Sequence, residues 1–392
     1  MAEQLAYALI TPYSLAKSRT GGIIGRLISQ VPLEFVGARM YSPSDAFIDK
    51  YLACQAKARI EARYHEAFRE YVEQNFRSDG ASERGFTNRF LMLLFRGKNA
   101  RKELRAVVGP PTAQPIGNTV RGTYGDCVMR GSKIEYFEPA VLAAPDDRTN
   151  KAVLKLLADY AEKDGGVLDT LVKYPKGVKP ETTLVMLKPD NFYKRSARPG
   201  NIIDIFSKTG LTIVGARLFR MSVQQGLEFY GFLEDIFVKK LGFLVENTLR
   251  DRLEDAYDFP LEDEDYAAMT DLLRRKNAHC EVCKIIEFMT GRHPDHVSRK
   301  EQREPGDARC LALLYHGPNA IELIRDRLGT TDPSKAEGGT VRSDYGTNLM
   351  VNGAHASDSS QSAGRERPIV GLAGGEKSDE KREILAYLKG NG

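Results

Sequence analysis

The feature that most restricts this chain is that it contains itself twice. The stretch "LAYALITPYSLAKSRTGGIIGRLISQVPLEFVGARMYS" runs parallel to "TTLVMLKPDNFYKRSARPGNIIDIFSKTGLTIVGARLFRMS". Further on, "RFLMLLFRGKNARKELRAVVG" matches "RCLALLYHGPNAIELIRDRLG", and "NTVRGTYGD" echoes "GTVRSDYGT". Pro12 and Pro189 lie 177 positions apart and Gly37 and Gly215 lie 178 apart, whereas Gly97 and Gly317 are 220 apart and Arg121 and Arg342 are 221 apart. Matches in constant order, with one jump of about 42 residues, imply two homologous domains, the second interrupted by an insertion. The expected layout is a first domain over 1–140, a connector over 141–181 and a second domain over 182–371. The second domain would carry a helical insertion at about 231–308, and a tail would cover 372–392.

Each copy has the same coarse pattern, clearest in the second. "TLVMLK" is an apolar strand, and "RPGNIIDIFSKTG" has Pro199 at a helix start and Gly210 at its stop. "LTIVGARLF" and "CLALLYH" are further strands, "NAIELIRDRLG" is a helix ended by Gly329, and "GTNLMVNG" reads as a fourth strand. Strand, helix, strand, then strand, helix, strand is the split βαβ order. The expected class is therefore α+β, two tandem ferredoxin-like domains, each a four-stranded antiparallel sheet covered by helices. In the connector, "TNKAVLKLLADYAEKDGG" has helical periodicity, and the tail is expected to end in a short amphipathic helix.

Composition removes several classes of function. A net charge of +4 over 392 residues is too mild and too dispersed for a nucleic-acid partner, and the strands lack the aromatic–basic alternation of RNA-binding sheets. The apolar run before Pro12 is too short for a membrane span or a signal-peptide core, and five cysteines make no disulfide framework. A cytoplasmic protein with reduced thiols, without a membrane role, is the expectation.

Six histidines occur in the chain, and one of them, His355, stands in "NGAHASDSSQSA" among residues too small to bury its ring. Lys188, Arg325, Thr331, Arg342, Asn352 and Glu366 sit near strand and helix ends of the same copy. One histidine with several fixed cations suits a ligand of several negative charges, such as a polyphosphate. Small neighbours leave room for a phosphoryl group, and Ser357–Ser359 precede a helix start whose N–H groups favour negative charge.

"TLVMLKPDNF", "RLGTTDP", "GTVRSDYG" and above all "NGAHASDSSQSA" resemble the motif segments of the nucleoside diphosphate kinases, including the thirteen-residue step from Arg342 to His355 and the eleven-residue step to Glu366. The resemblance covers about 181–371 apart from the insertion. It implies a nucleoside diphosphate kinase that takes the γ-phosphoryl group of ATP or another triphosphate onto His355 and passes it to a diphosphate, in a ping-pong cycle. Glu366 would orient the imidazole, Arg325, Thr331 and Arg342 would hold phosphates, and Lys188 and Asn352 would contact the ribose hydroxyl and phosphate region. Tyr230 would sit near the histidine. Mg²⁺ would arrive bridging the nucleotide phosphates, without a protein cage, and a homo-oligomer is implied. The insertion falls where the family supplies its base-stacking aromatic; Phe232, Phe237, Phe243, Tyr257 and Tyr266 are the candidates. A nucleotide-binding regulatory protein with little turnover is the alternative.

The first copy lacks this set. Thr11 stands in the place of Lys188, and thirteen residues beyond Arg121 stands Ile134 rather than a histidine. Arg105 and Arg121 survive, so this copy is expected to pack against the active one or, more sharply, to sense nucleotide. Finally, Cys280, Cys283, His293 and His296 suggest zinc, but their spacing is tight and "CKIIEFM" reads more simply as a core-facing helix.

Overall fold

In the computed structural model, which describes residues 3–390, apolar runs of the two copies form central strands buried on both faces, as continuous rather than alternating hydrophobic patterns require. The first copy provides β1 (Gln4–Ile10), β2 (Glu34–Tyr41) and β3 (Phe90–Gly97). A two-stranded hairpin follows, β4 (Asp126–Arg130) with β5 (Lys133–Glu138), and then β6 (Val141–Ala143). The second provides β7 (Pro180–Leu187), β8 (Thr212–Phe219), β9 (Cys310–Pro318) and β10 (Ala354–Ala356). The sheets run β2-β3-β1-β6 and β10-β7-β9-β8, one topology twice and the split βαβ order. Asn99 and Asn319, each in the left-handed region at φ 54° and 52°, turn β3 and β9 into their following helices at equivalent points.

Two sequence expectations shift. Gly346–Gly353 is not a strand: Asn348 Oδ1 accepts from Met350 N at 2.9 Å and Val351 N at 2.8 Å, folding the segment into turns. The fourth strand is the next three residues, with His355 at its centre opposite Met186. The first sheet also continues past residue 140, because β6 pairs with β1 through Ala8–Ala143, Leu9–Leu142 and Ile10–Val141. The connector helix Asp147–Tyr160 then packs on that sheet, burying Val153, Leu154 and Leu157. Its cap, Asp146, lies four residues after Leu142, as Ser359, the cap of helix Ser360–Ile369, lies four residues after His355. We therefore extend the first copy to about residue 160.

The copies face each other through equivalent helices, Thr20–Gln30 and Arg198–Ser207. The contact needs bare backbone: a Cβ at Gly200 would run into Gly21 O and Gly25 N, and one at Gly21 into Gly200 O and Asp204. Gly22 N donates to Asp204 Oδ1 at 3.1 Å across the same contact.

The tail ends in helix Asp379–Gly390, which joins the core of the first copy: Ile384 is fully buried among Leu5, Tyr7, Leu94 and Leu157. The duplicated "VGAR" arginines meet it. Arg39 donates to Ala161 O at 2.9 Å and lies 3.8 Å from Glu380, while Arg217 donates to Val370 O at 2.6 Å and bonds Asp379. Each arginine thus closes the carbonyl end of its own copy's last helix and takes one of two adjacent acids.

Residues Arg220–Cys310 form a separate compact unit. Its helices are Val223–Tyr230, Leu233–Lys240, Gly242–Leu253 and the long Asp263–Thr290. Among the described residues no helix is long and apolar enough to cross a membrane.

Candidate functional site

His355 owes its position to β10, whose pairing with β7 leaves the ring partly exposed between buried Ala354 and Ala356. Its Nε2 lies 2.9 Å from Glu366 Oε2, on the helix that begins immediately beyond the strand. Glu366 is 3% exposed, and the same oxygen accepts from Ser357 Oγ at 2.7 Å, while Arg365 Nη2 approaches Oε1 at 3.3 Å. A buried carboxylate held by two donors can fix one imidazole nitrogen and so direct the chemistry to the other, Nδ1. From sequence Ser357 reads only as part of the segment before a helix start; the structure adds its hydroxyl as a partner of Glu366.

A cationic group is built on the segment that precedes His355 and at the end of the strand that pairs with its own. Lys188 Nζ donates to Asn352 Oδ1 at 2.7 Å and to Met350 O at 3.0 Å. Asn352 Nδ2 donates in turn to Thr331 O at 3.2 Å and Leu349 O at 2.9 Å. Arg342 donates to Gly329 O at 2.9 Å and reaches Thr331 Oγ1 at 3.4 Å. Burial first, and then the neighbouring charge of Arg325, bring its guanidinium down to about 10, which leaves it cationic at neutral pH. Among the described residues neither Arg325 nor Arg342 pairs with a carboxylate, and the buried Nε of Arg342 has no acceptor. Two crowded guanidiniums, neither with a described carboxylate at ion-pair distance, and an orphaned donor fit an anion arriving from outside.

The structure thus brings Lys188, Thr331, Arg342 and Asn352 into one network and pairs His355 with Glu366, with Arg325 close enough to act on Arg342. Tyr230 belongs to the insertion unit, buried at the end of its helix with its ring 4.7 Å from Phe229, and its placement near His355 stands on resemblance alone. Of the stacking candidates, Tyr266 is buried beneath Arg250, whereas Phe232, Phe243 and Tyr257 are more than half exposed.

The equivalent place in the first copy is filled. Leu142, opposite Leu9, occupies the strand position of His355, and Ile134 lies instead in the β4–β5 hairpin that displaces the register by eight residues. Val153 takes the place of Glu366. Arg121 is fully buried and donates to Gly109 O at 3.0 Å and to Val141 O at 3.0 Å, so its guanidinium is used by backbone. That favours the packing role over nucleotide sensing. Near Thr11, Glu138 accepts from Tyr71 Oη at 2.6 Å, and burial raises its carboxyl from 4.5 to about 7. The folded chain therefore keeps this proton between those values and loses stability as pH rises through them. Glu138→Gln should be near neutral at pH 5 and stabilising at pH 8, by at most about 3 kcal/mol. Paired thermal melts at the two pH values check this.

The nucleoside diphosphate kinase family model matches residues 304–370. The chain is 27% identical over 186 residues to the nucleoside diphosphate kinase of Symbiobacterium thermophilum, covering 47% of this chain and 83% of that one. The Methanococcus maripaludis enzyme of that name is 27% identical over 186 residues, covering 47% and 94%. Over 59 residues the identity to the Persephonella marina nucleoside diphosphate kinase is 48%, covering 15% and 42%. A solved structure of an NDP kinase from Pyrobaculum aerophilum is 24% identical, covering 49% of this chain and 95% of that one at a TM-score of 0.32. A nucleoside diphosphate kinase-like region is present, and the rest of the chain has diverged.

Proposed function

We propose that this chain is a nucleoside diphosphate kinase with one working copy, the second, and that its phosphoryl carrier is His355. The observation that carries this reading is the His355–Glu366–Ser357 arrangement, together with Arg342, whose buried Nε has no acceptor. In the first half-reaction the imidazole Nδ1 attacks the γ-phosphorus of a nucleoside triphosphate, the bond to the β-phosphate oxygen breaks, and a diphosphate leaves. In the second, a terminal oxygen of an incoming diphosphate attacks the same phosphorus and the N–P bond breaks. Such transfer needs in-line positioning and charge neutralisation above all. Arg342, Arg325 and Thr331 supply the phosphate contacts, and Lys188, fixed by Asn352, supplies a point charge. Mg²⁺ comes as part of the nucleotide substrate, where it shields phosphate charge. Glu366 accepts a hydrogen bond from the Nε2–H tautomer, leaving the lone pair on Nδ1.

The test is to incubate the protein with γ-labelled ATP and Mg²⁺, look for acid-labile, alkali-stable label, and chase with GDP. Label that forms and moves to GDP supports the reading. ATP binding without label would instead favour a nucleotide-binding regulatory protein. Glu366→Gln is expected to lower the rate of label formation about 10- to 100-fold while leaving ATP affinity within a few-fold, as loss of an orienting partner does. Single-turnover kinetics separate the two quantities.

A further inference from the structure

The insertion unit contains a second chemical cluster that phosphoryl transfer does not use. On the long helix Asp263–Thr290, His279 and Cys283 are one turn apart and share a face. Gly291, in the left-handed region at φ 79°, ends that helix, and the short turn Pro294–His296 brings Asp295 back over it. Cys283 Sγ lies 3.4 Å from His279 Nε2; Asp295 Oδ2 and Oδ1 lie 3.3 and 3.4 Å from that nitrogen, and Oδ2 lies 4.0 Å from the sulfur. All three donor atoms fall within 4.8 Å of one another. The other ring nitrogen, Nδ1, is 3.1 Å from Glu234 Oε2 on helix Leu233–Lys240.

We propose that His279, Cys283 and Asp295 form a zinc site, with Glu234 orienting the imidazole. Tetrahedral Zn²⁺ with ordinary bond lengths sets its ligands about 3.6 Å apart for sulfur–nitrogen and about 3.4 Å apart for nitrogen–oxygen, close to the spacings here. One thiolate, one imidazole and one carboxylate suit zinc better than magnesium or calcium, which take oxygen donors. A carboxylate on the far nitrogen of a ligating histidine is the usual outer support. The fourth position is left to water. These are not the residues that spacing alone suggests. Cys280 is exposed on the helix, and His293 and His296 stack on each other with centroids 4.3 Å apart, His293 Nδ1 accepting from Asp295 N.

The experiment uses the untagged full chain, stripped with chelator and titrated with Zn²⁺ against a metallochromic competitor, and with Co²⁺ read by absorption. One equivalent per chain and a cobalt–thiolate charge-transfer band are expected. Asp295→Asn and His279→Gln change half-exposed side chains and should weaken binding about 100-fold or more with an unchanged far-UV spectrum. Cys283→Ser should remove the thiolate band. Glu234→Gln should keep that band and weaken zinc about 10- to 100-fold. Cys280→Ser, His293→Ala and His296→Ala should each bind as the parent does. Absence of stoichiometric metal, or loss of binding in the Cys280 or His296 variant with Asp295→Asn unaffected, overturns the proposal.

Discussion

His355→Ala should abolish the acid-labile phosphoprotein and lower turnover on the order of 10⁴-fold or more, with nucleotide affinity retained. The size follows from the role: a nucleophile that carries the transferred group has no substitute, and deleting such a group elsewhere costs up to about 10⁶ in kcat. Retained affinity follows from geometry, because Lys188 is held by Asn352 Oδ1 and Met350 O, Asn352 by Thr331 O, and Arg342 by Gly329 O, bonds that truncating the imidazole leaves in place. The histidine is small, partly exposed and flanked by alanines, so its truncation leaves no large cavity. Equilibrium binding of a fluorescent diphosphate, alongside the labelling assay, distinguishes the outcomes. A variant that still accepts label would move the phosphoryl carrier to another residue. One that loses affinity with activity would make His355 a binding group.

Gly200→Ala should destabilise the protein by about 1–3 kcal/mol, whereas Gly364→Ala should stabilise it by up to about 1 kcal/mol. Both glycines lie in helices, so propensity predicts the same gain at each. What differs is the space: a methyl at Gly364 meets nothing within 4 Å, and one at Gly200 meets the backbone of Gly21 and Gly25. Backbone cannot rotate aside as a side chain does, so helices Thr20–Gln30 and Arg198–Ser207 must separate. Thermal melts of the two variants read the contrast. Equal shifts in the same direction would mean that the copies are not locked through these glycines.

The reach of the sequence can be judged residue by residue. The nearness of His355 to Glu366 was legible because it is local. The step from His355 to Glu366 lies within one strand–helix unit, and the structure closes that unit as a 2.9 Å contact. The fourth strand was misplaced because Leu349, Met350 and Val351 look like strand residues, while the Asn348 side chain and Lys188 take the backbone groups that pairing would have used. Counting thirteen residues from Arg121 failed at Ile134 because the hairpin turned by Gly131 was inserted in between, and only pairing with β1 reveals Leu142. The role of the tail was hidden for a different reason. Periodicity announces an apolar face on Asp379–Gly390, but it cannot say that the partner of that face was laid down more than 200 residues earlier.

That distance has a consequence during synthesis. The first sheet and its own helices are complete by Tyr160, yet the helix carrying Ile384 is made more than 200 residues later. At about 5–20 residues per second, the interval is roughly ten to forty seconds. Throughout it, Leu5, Tyr7 and Leu94 present an open apolar face outside the ribosome. The half of the molecule born first is therefore completed late, and the nascent chain needs either shelter or a temporary partner for that face until this helix arrives.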